Sequence, residues 1–149
     1  MSVSLLDINV LVALFDPSHV HHEAAHRWFA RHRRKGWATC PLTINGCVRV
    51  LSHPSYSGPR ASPPEIIGLL RTFCAGEHHD FWADSVSLVD ERLFRSAAIA
   101  SHNQLTDLYL LGLAVARHGK LATFDRGISI KAIMGAAQSN LEVIEAVNE

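Results

Sequence analysis

Short apolar runs alternate with helix-length amphipathic segments along this chain, a pattern that few architectures can bury. Val3 to Leu6, Trp37 to Cys40, Val86 to Val89 and Leu121 to Phe124 read as buried strands, and Leu141 to Ile144 as a fifth. The intervening segments have helical character. Val10 to Phe15 is a helix closed by Asp16-Pro17, and residues 21–34 form another with Ala24, Ala25, Trp28 and Phe29 on its apolar face. That second helix ends in a basic run, Arg31-His-Arg-Arg-Lys35, ahead of Gly36. Thr43 is expected to cap a helix running to about Ser52, and the proline-rich stretch from His53 to Pro64 is a loop. Pro64 opens a helix with Ile66, Ile67, Leu69, Leu70 and Phe73 as its apolar face. Residues 91–101 and 105–118 read as two more helices, with Gly119 at the C′ position of the second. The near-repeat of Ser2-Val-Ser-Leu-Leu-Asp7 in Ser85-Val-Ser-Leu-Val-Asp90 is expected to be two similar strands rather than an array. Strands alternating with helices require right-handed crossovers, so the expected class is α/β: a sandwich whose mainly parallel sheet of four to five strands is covered on both faces.

Length and composition bound the rest. At 149 residues with 48% hydrophobic content, the chain is expected to be a single domain, residues 1–149, with its own core. Its longest apolar runs, Val10 to Phe15 and Leu108 to Val115, are far shorter than a bilayer span, so no membrane association is expected. The amino-terminal residues carry no basic segment or cleavage site of a secretory signal, which points to the cytoplasm. Cys40, Cys47 and Cys74 are odd in number and lack C-x-x-C spacing, as expected of reduced, buried thiols. The formal charge is zero, so any polyanion site must be local.

The acids suggest where chemistry occurs. Asp7 ends the first strand, Asp125 ends the fourth, and Asp107 lies in the first turn of the helix leading into the fourth. In open α/β sheets ligands bind beyond the carboxyl ends of the strands, so these three aspartates are expected to converge there. Taken alone, Asp125 has an ordinary reading as a turn residue and Asp107 as a complement to the helix dipole. Asp7, between Leu6 and Ile8, must be solvated, capped or ligated. Asp90 is set aside as the cap of the helix that follows it. Clustered carboxylates are stabilised by a hard divalent cation, Mg²⁺ or Mn²⁺, which points to metal-assisted phosphoryl chemistry.

A competing enzyme class is visible in His22-Glu-Ala-Ala-His26, an H-E-x-x-H pattern on a helix, in which two histidines would bind zinc with Glu23 as base. Against it, no acid lies between Glu23 and Glu65, and Phe29 stands where a metzincin has glycine. A zinc metalloprotease is therefore a remote alternative.

Leu5-Leu-Asp-Ile-Asn9, Thr39-Cys-Pro-Leu-Thr43 followed by Asn45-Gly46 and Arg49-Val-Leu-Ser52, Leu105-Thr-Asp-Leu108 and Ala122-Thr-Phe-Asp125 occur in an order that resembles PIN-domain ribonuclease toxins of the VapC type. The resemblance implies a PIN-like α/β/α sandwich. It also implies a metal-dependent endoribonuclease from a bacterial toxin-antitoxin pair, inhibited by a VapB-type antitoxin and often a homodimer. The family's aspartates fall on Asp7, Asp107 and Asp125, with Asn9 and Thr106 as supporting polar groups. Its glutamate does not carry over: where the family reads Thr-Glu-Asn-Gly, this chain has Thr43-Ile44-Asn45-Gly46. Isoleucine cannot bind a metal, and Asn45 is turned by about 100° around the helix from the missing carboxylate. An active protein would use in-line attack of a metal-activated water on an RNA phosphodiester. Asp7 and Asp107 would hold the principal ion, and Asp125 would be a further ligand or a base orienting water. Arg49 or the Arg31 to Lys35 run would contact the RNA backbone. With Ile44 in the glutamate position activity is expected to be weakened or absent. The alternative is a non-catalytic domain that binds RNA or the antitoxin.

Overall fold

The computed structural model describes residues 2–58 and 60–146. Five short strands, β1 (Ser4–Leu6), β2 (Trp37–Thr39), β3 (His79–Phe81), β4 (Lys120–Thr123) and β5 (Leu141–Val143), form one sheet in the order β3-β2-β1-β4-β5. Every pairing is parallel, with Leu5 opposite Ala38 on one side and Leu121 on the other. Parallel strands cannot be joined by tight turns, so the chain returns through helices that cover the sheet. These are α1 (Ile8–Phe15), α2 (His22–His32), α3 (Pro41–Ser52), α4 (Pro63–Cys74) and α5 (Leu105–Ala116).

Alternation along β1 divides the core. Leu6 joins Val10, Leu11, Trp28, Cys47 and Leu70 on the face covered by the first four helices. Leu5 turns to the opposite face, where it meets Leu110, Leu111, Leu113, Trp82 and Phe94. Leu110, Leu111 and Leu113 are fully buried, because α5 lies between the sheet and the segment containing Phe94. None of the helices described is long and apolar enough to cross a membrane.

The expected strands and helices largely stand, with boundary shifts. Cys40 is not in β2: it is the residue before α3, and Thr43 lies in the third helical position rather than at the cap. There the Thr43 hydroxyl donates to the Cys40 carbonyl and accepts from the Cys40 N–H, both at 3.0 Å. α4 begins at Pro63, one residue early, because Ser62 and Glu65 form a reciprocal capping box. Its apolar face is narrower than expected: Ile66 and Leu70 are buried, but Ile67 and Leu69 are substantially exposed. The left-handed residue after α5 is His118, with φ of 57°, not Gly119. Gly119 is required for space instead, since a Cβ there would lie 2.6 Å from the Val3 carbonyl oxygen.

Two expectations fail. Val86 to Val89 is not a strand, and residues 91–101 are not a helix. The third strand is His79–Phe81, polar and partly exposed at the sheet edge, held by backbone pairing to β2 and by a 2.8 Å hydrogen bond between His79 Nε2 and Thr39 Oγ1. The hexapeptide resemblance therefore does not mark a second strand: Val89 is 86% exposed, and Asp90 caps a turn through Arg92 N–H rather than a helix. Within 91–101 only Ser96–Ala98 makes a single 3₁₀ turn, because Phe94 is drawn instead into an isolated bridge with Ile133.

Candidate active site

The carboxyl ends of β1 and β4 lie side by side, and both lead into acids. The chain leaves β1 at Asp7, whose extended backbone makes it the N-cap of α1. Asp7 is only 3% exposed. Its Oδ1 accepts the Ile8 N–H at 2.7 Å, and its Oδ2 accepts the hydroxyl of Thr123 at 2.7 Å. Thr123 closes β4, is completely buried, and also accepts the Asp125 N–H at 3.0 Å. One hydroxyl thus ties the first acid to the backbone of the third. Asp125 is exposed, and its Oδ1 accepts the Gly127 N–H at 2.7 Å. Asp107, half-buried in the first turn of α5, shares with Asp125 a pocket of about 190 Å³ that also has Asn103, Gln104 and Ser129 in its wall.

Electrostatics joins the three. Burial raises the Asp7 carboxyl above the usual carboxylate range, despite the hydrogen bonds from Thr123 and Ile8, and Asp125 adds to the rise. Asp107 is pushed up to about 7, first by burial, then by the charge of Asp7 and a hydrogen bond with Asp125. Among the described residues none of these acids forms a salt bridge with a lysine or arginine. An uncompensated carboxylate group of this kind suits a hard divalent cation. Among the described residues, no three His, Cys, Asp or Glu side chains close around a single point. The donors present therefore fit Mg²⁺ or Mn²⁺ held by one or two carboxylates with water filling the remaining positions, which is the habit of Mg²⁺.

These shifts carry a pH signature. Both acids titrate higher in the folded chain than in the unfolded one, so the folded state binds more protons between about pH 4 and pH 7. The associated stability is present below the unfolded value of 3.8 and is lost as pH rises through about 7. The metal-free protein should therefore have a thermal midpoint that falls from about pH 5 to pH 8, and Asp107→Asn should flatten much of that fall. A wild-type midpoint with no downward component that Asp107→Asn removes would contradict the clustering.

Not every expected site residue joins the cluster. Asn9 and Thr106 are exposed with no side-chain hydrogen bond among the described residues, and Arg49 is exposed on α3. Ile44 lies in the first turn of α3, but its side chain lines a groove with Ile67, Leu70, Arg71 and Cys74 rather than the Asp107 pocket. Thr123 was missed from sequence: the signal available was a hydroxyl two residues before Asp125 in an otherwise apolar strand.

The H-E-x-x-H pattern has a structural explanation. His22 Nδ1 sits 2.7 Å from the Ala13 carbonyl and His26 Nε2 sits 2.8 Å from that of Leu14, so the two rings satisfy the open end of α1. No third ligand accompanies them among the described residues.

Comparisons with known proteins agree with this architecture. The PIN domain profile matches residues 4–133. Ribonuclease VapC44 of Mycobacterium tuberculosis is 42% identical over 141 residues, covering 95% of this chain and 99% of the relative. Ribonuclease VapC39 of the same organism is 38% identical over 135 residues, covering 91% and 97%. Among solved structures, VapBC2 from Rickettsia felis bound to a DNA fragment from their promoter aligns with a TM-score of 0.61 and 14% identity, over 96% of this chain and 99% of that one. At that identity the likeness concerns the fold.

Proposed function

This chain belongs to the PIN-domain family, among its VapC-type members, and on that premise we propose that it is a metal-dependent endoribonuclease, the toxin of a toxin-antitoxin pair, weakened by Ile44. The observation that carries the chemistry is the group of three acids at the carboxyl edge of the sheet, without a basic partner among the described residues, two of them tied together by Thr123. The same premise supports a VapB-type antitoxin as protein partner and a homodimer as the working form.

Asp7 and Asp107 would hold the ion, Mg²⁺ or Mn²⁺, with water filling the remaining positions and Asp125 orienting one of those waters. When bound, the ion neutralises charge on the scissile phosphate and lowers the pKa of water. The protein's own groups do the rest. Thr123 holds the Asp7 carboxylate in one orientation and fixes the backbone of Asp125. Gly127 N–H fixes Asp125 Oδ1, leaving its second oxygen to orient a water. Asp107, raised to about 7 in the metal-free protein, would give up its proton as the ion binds.

The test is Mn²⁺-dependent cleavage of single-stranded and structured RNAs. Slow cleavage that a chelator abolishes, and that Asp107→Asn reduces by at least about 100-fold, is the expected result. A second reading, a domain that binds RNA or antitoxin without cutting, is favoured by the apolar side chain at position 44. Mn²⁺ titration separates them, because a binder has no need of the ion. No Mn²⁺ binding and no cleavage would replace the nuclease reading with the binder.

A further inference from the structure

α2 and the 3₁₀ turn that follows it carry a concentration of charge that the acid cluster does not explain. Arg27, Arg31, Arg33, Arg34 and Lys35 place five of the chain's fourteen lysines and arginines within nine residues, in a protein with no net charge. All five are exposed, and among the described residues none pairs with a carboxylate. Arg27 and Arg31 are one turn apart, so they project from the same side of α2, and Arg34 follows three residues on in the 3₁₀ turn. Arg27 and Arg31 line a groove of about 440 Å³ between α2 and the end of β5. On the opposite wall Glu142 is engaged by Lys120 at 3.4 Å, while Glu145 would direct an anion toward the arginine side.

The helix that carries this stripe begins beside the acid site. His21, which precedes α2, stacks on Phe124 with ring centroids 4.5 Å apart, and Phe124 is the residue before Asp125. The amino end of α2 therefore meets the rim of the acids, and its basic end lies about 16 Å away, the length of an 11-residue helix. A few nucleotides of extended RNA cover that distance. Exposed guanidinium groups without acidic partners are suited to bidentate phosphate contacts.

Building on the nuclease reading, we propose that the Arg27-Arg31-Arg34 stripe is an exosite for the phosphate backbone of RNA, engaging nucleotides several positions from the bond held at the acids. The exosite binds through charge and carries no base sequence. It gives the chain affinity for long RNAs that a tetranucleotide does not reach.

The experiment uses the full chain without metal and 2′-O-methyl RNAs of about 20 and 4 nucleotides, followed by fluorescence anisotropy across a salt series. Arg27→Gln/Arg31→Gln/Arg34→Gln should bind the 20-mer at least about 10-fold more weakly near 0.1 M salt, with a log-log salt slope shallower by about 2. Affinity for the tetramer should be unchanged. Arg27→Lys/Arg31→Lys/Arg34→Lys, which keeps the charge, should restore most of the slope. Wild-type affinity and slope in the folded glutamine variant would overturn the exosite, while Mn²⁺-dependent RNA cleavage by the same protein would leave the nuclease reading standing. If a glutamate-rich peptide binds and the glutamine variant loses it while 20-mer binding is unchanged, the stripe serves an acidic protein segment and the proposal falls. Failure of every form to bind or cut RNA would overturn both readings.

Discussion

Replacing Ile44 by glutamate is expected to raise Mn²⁺-dependent RNA cleavage on the order of 10- to 100-fold, with a parallel gain in Mn²⁺ affinity. Position 44 is in the first turn of α3, which leaves β2 at the same sheet edge that holds Asp7. The present side chain contributes no oxygen to that edge and packs instead against Ile67, Leu70 and Cys74. A carboxylate has no reason to remain in that apolar groove, because desolvation disfavours it there, and glutamate is unbranched enough to swing toward solvent and the acids. The competitor is Arg71, which lines the same groove and would hold a new carboxylate on the α4 side. Ile44→Glu should therefore be measured alone and with Arg71→Met, which removes that competitor. Adding Asp7→Asn to either background should return cleavage to background. If neither glutamate variant gains metal affinity or rate, position 44 is not a ligand position and the weakness assigned to Ile44 is wrong.

The parts of this fold legible in the sequence were those determined by burial. β1, β2 and β4 are flanked by strands on both sides and covered on both faces, so their residues form continuous apolar runs that sequence periodicity detects. β3 is an edge strand containing His79 and Asp80, and it is held by backbone pairing that no hydrophobic pattern records. The same limit misplaced Val86 to Val89: the run is apolar, but Val86 and Leu88 pack onto the core on the Leu5 face from an irregular segment. The site divides along similar lines. Asp7 and Asp125 could be placed because each follows a recognisable strand, and Asp107 because the helix carrying it must run antiparallel to β4. Thr123 could not, because its role depends on pointing its hydroxyl across the β1–β4 pairing toward Asp7. The orientation of Ile44 was equally hidden, since it depends on how closely α4 packs beside α3.

Thr123→Val should cost about 2–4 kcal/mol of stability near neutral pH, a loss of several degrees in thermal midpoint, while Thr123→Ser retains most of it. Valine nearly matches threonine in shape, so little of the loss would come from a cavity. The hydroxyl does two things in a fully buried place: it donates to Asp7 Oδ2 and accepts the Asp125 N–H. Removing it leaves a buried carboxylate oxygen without its donor and a backbone N–H without its acceptor, and the first of these is the more costly because it carries charge. The pH dependence identifies the cause. The hydroxyl lowers the Asp7 pKa, so its loss raises that pKa further and penalises the charged form alone. The deficit of Thr123→Val should therefore be smallest at the acid end of the Asp7 titration, where the carboxyl is protonated in both proteins, and should grow as pH rises through the range in which wild-type Asp7 ionises. Asp7→Asn should erase that growth, because a neutral side chain has no charge to lose its donor. A deficit that is constant with pH would mean that Thr123 acts through packing alone. In that case the tie between Asp7 and Asp125 would not be what holds the acids in place.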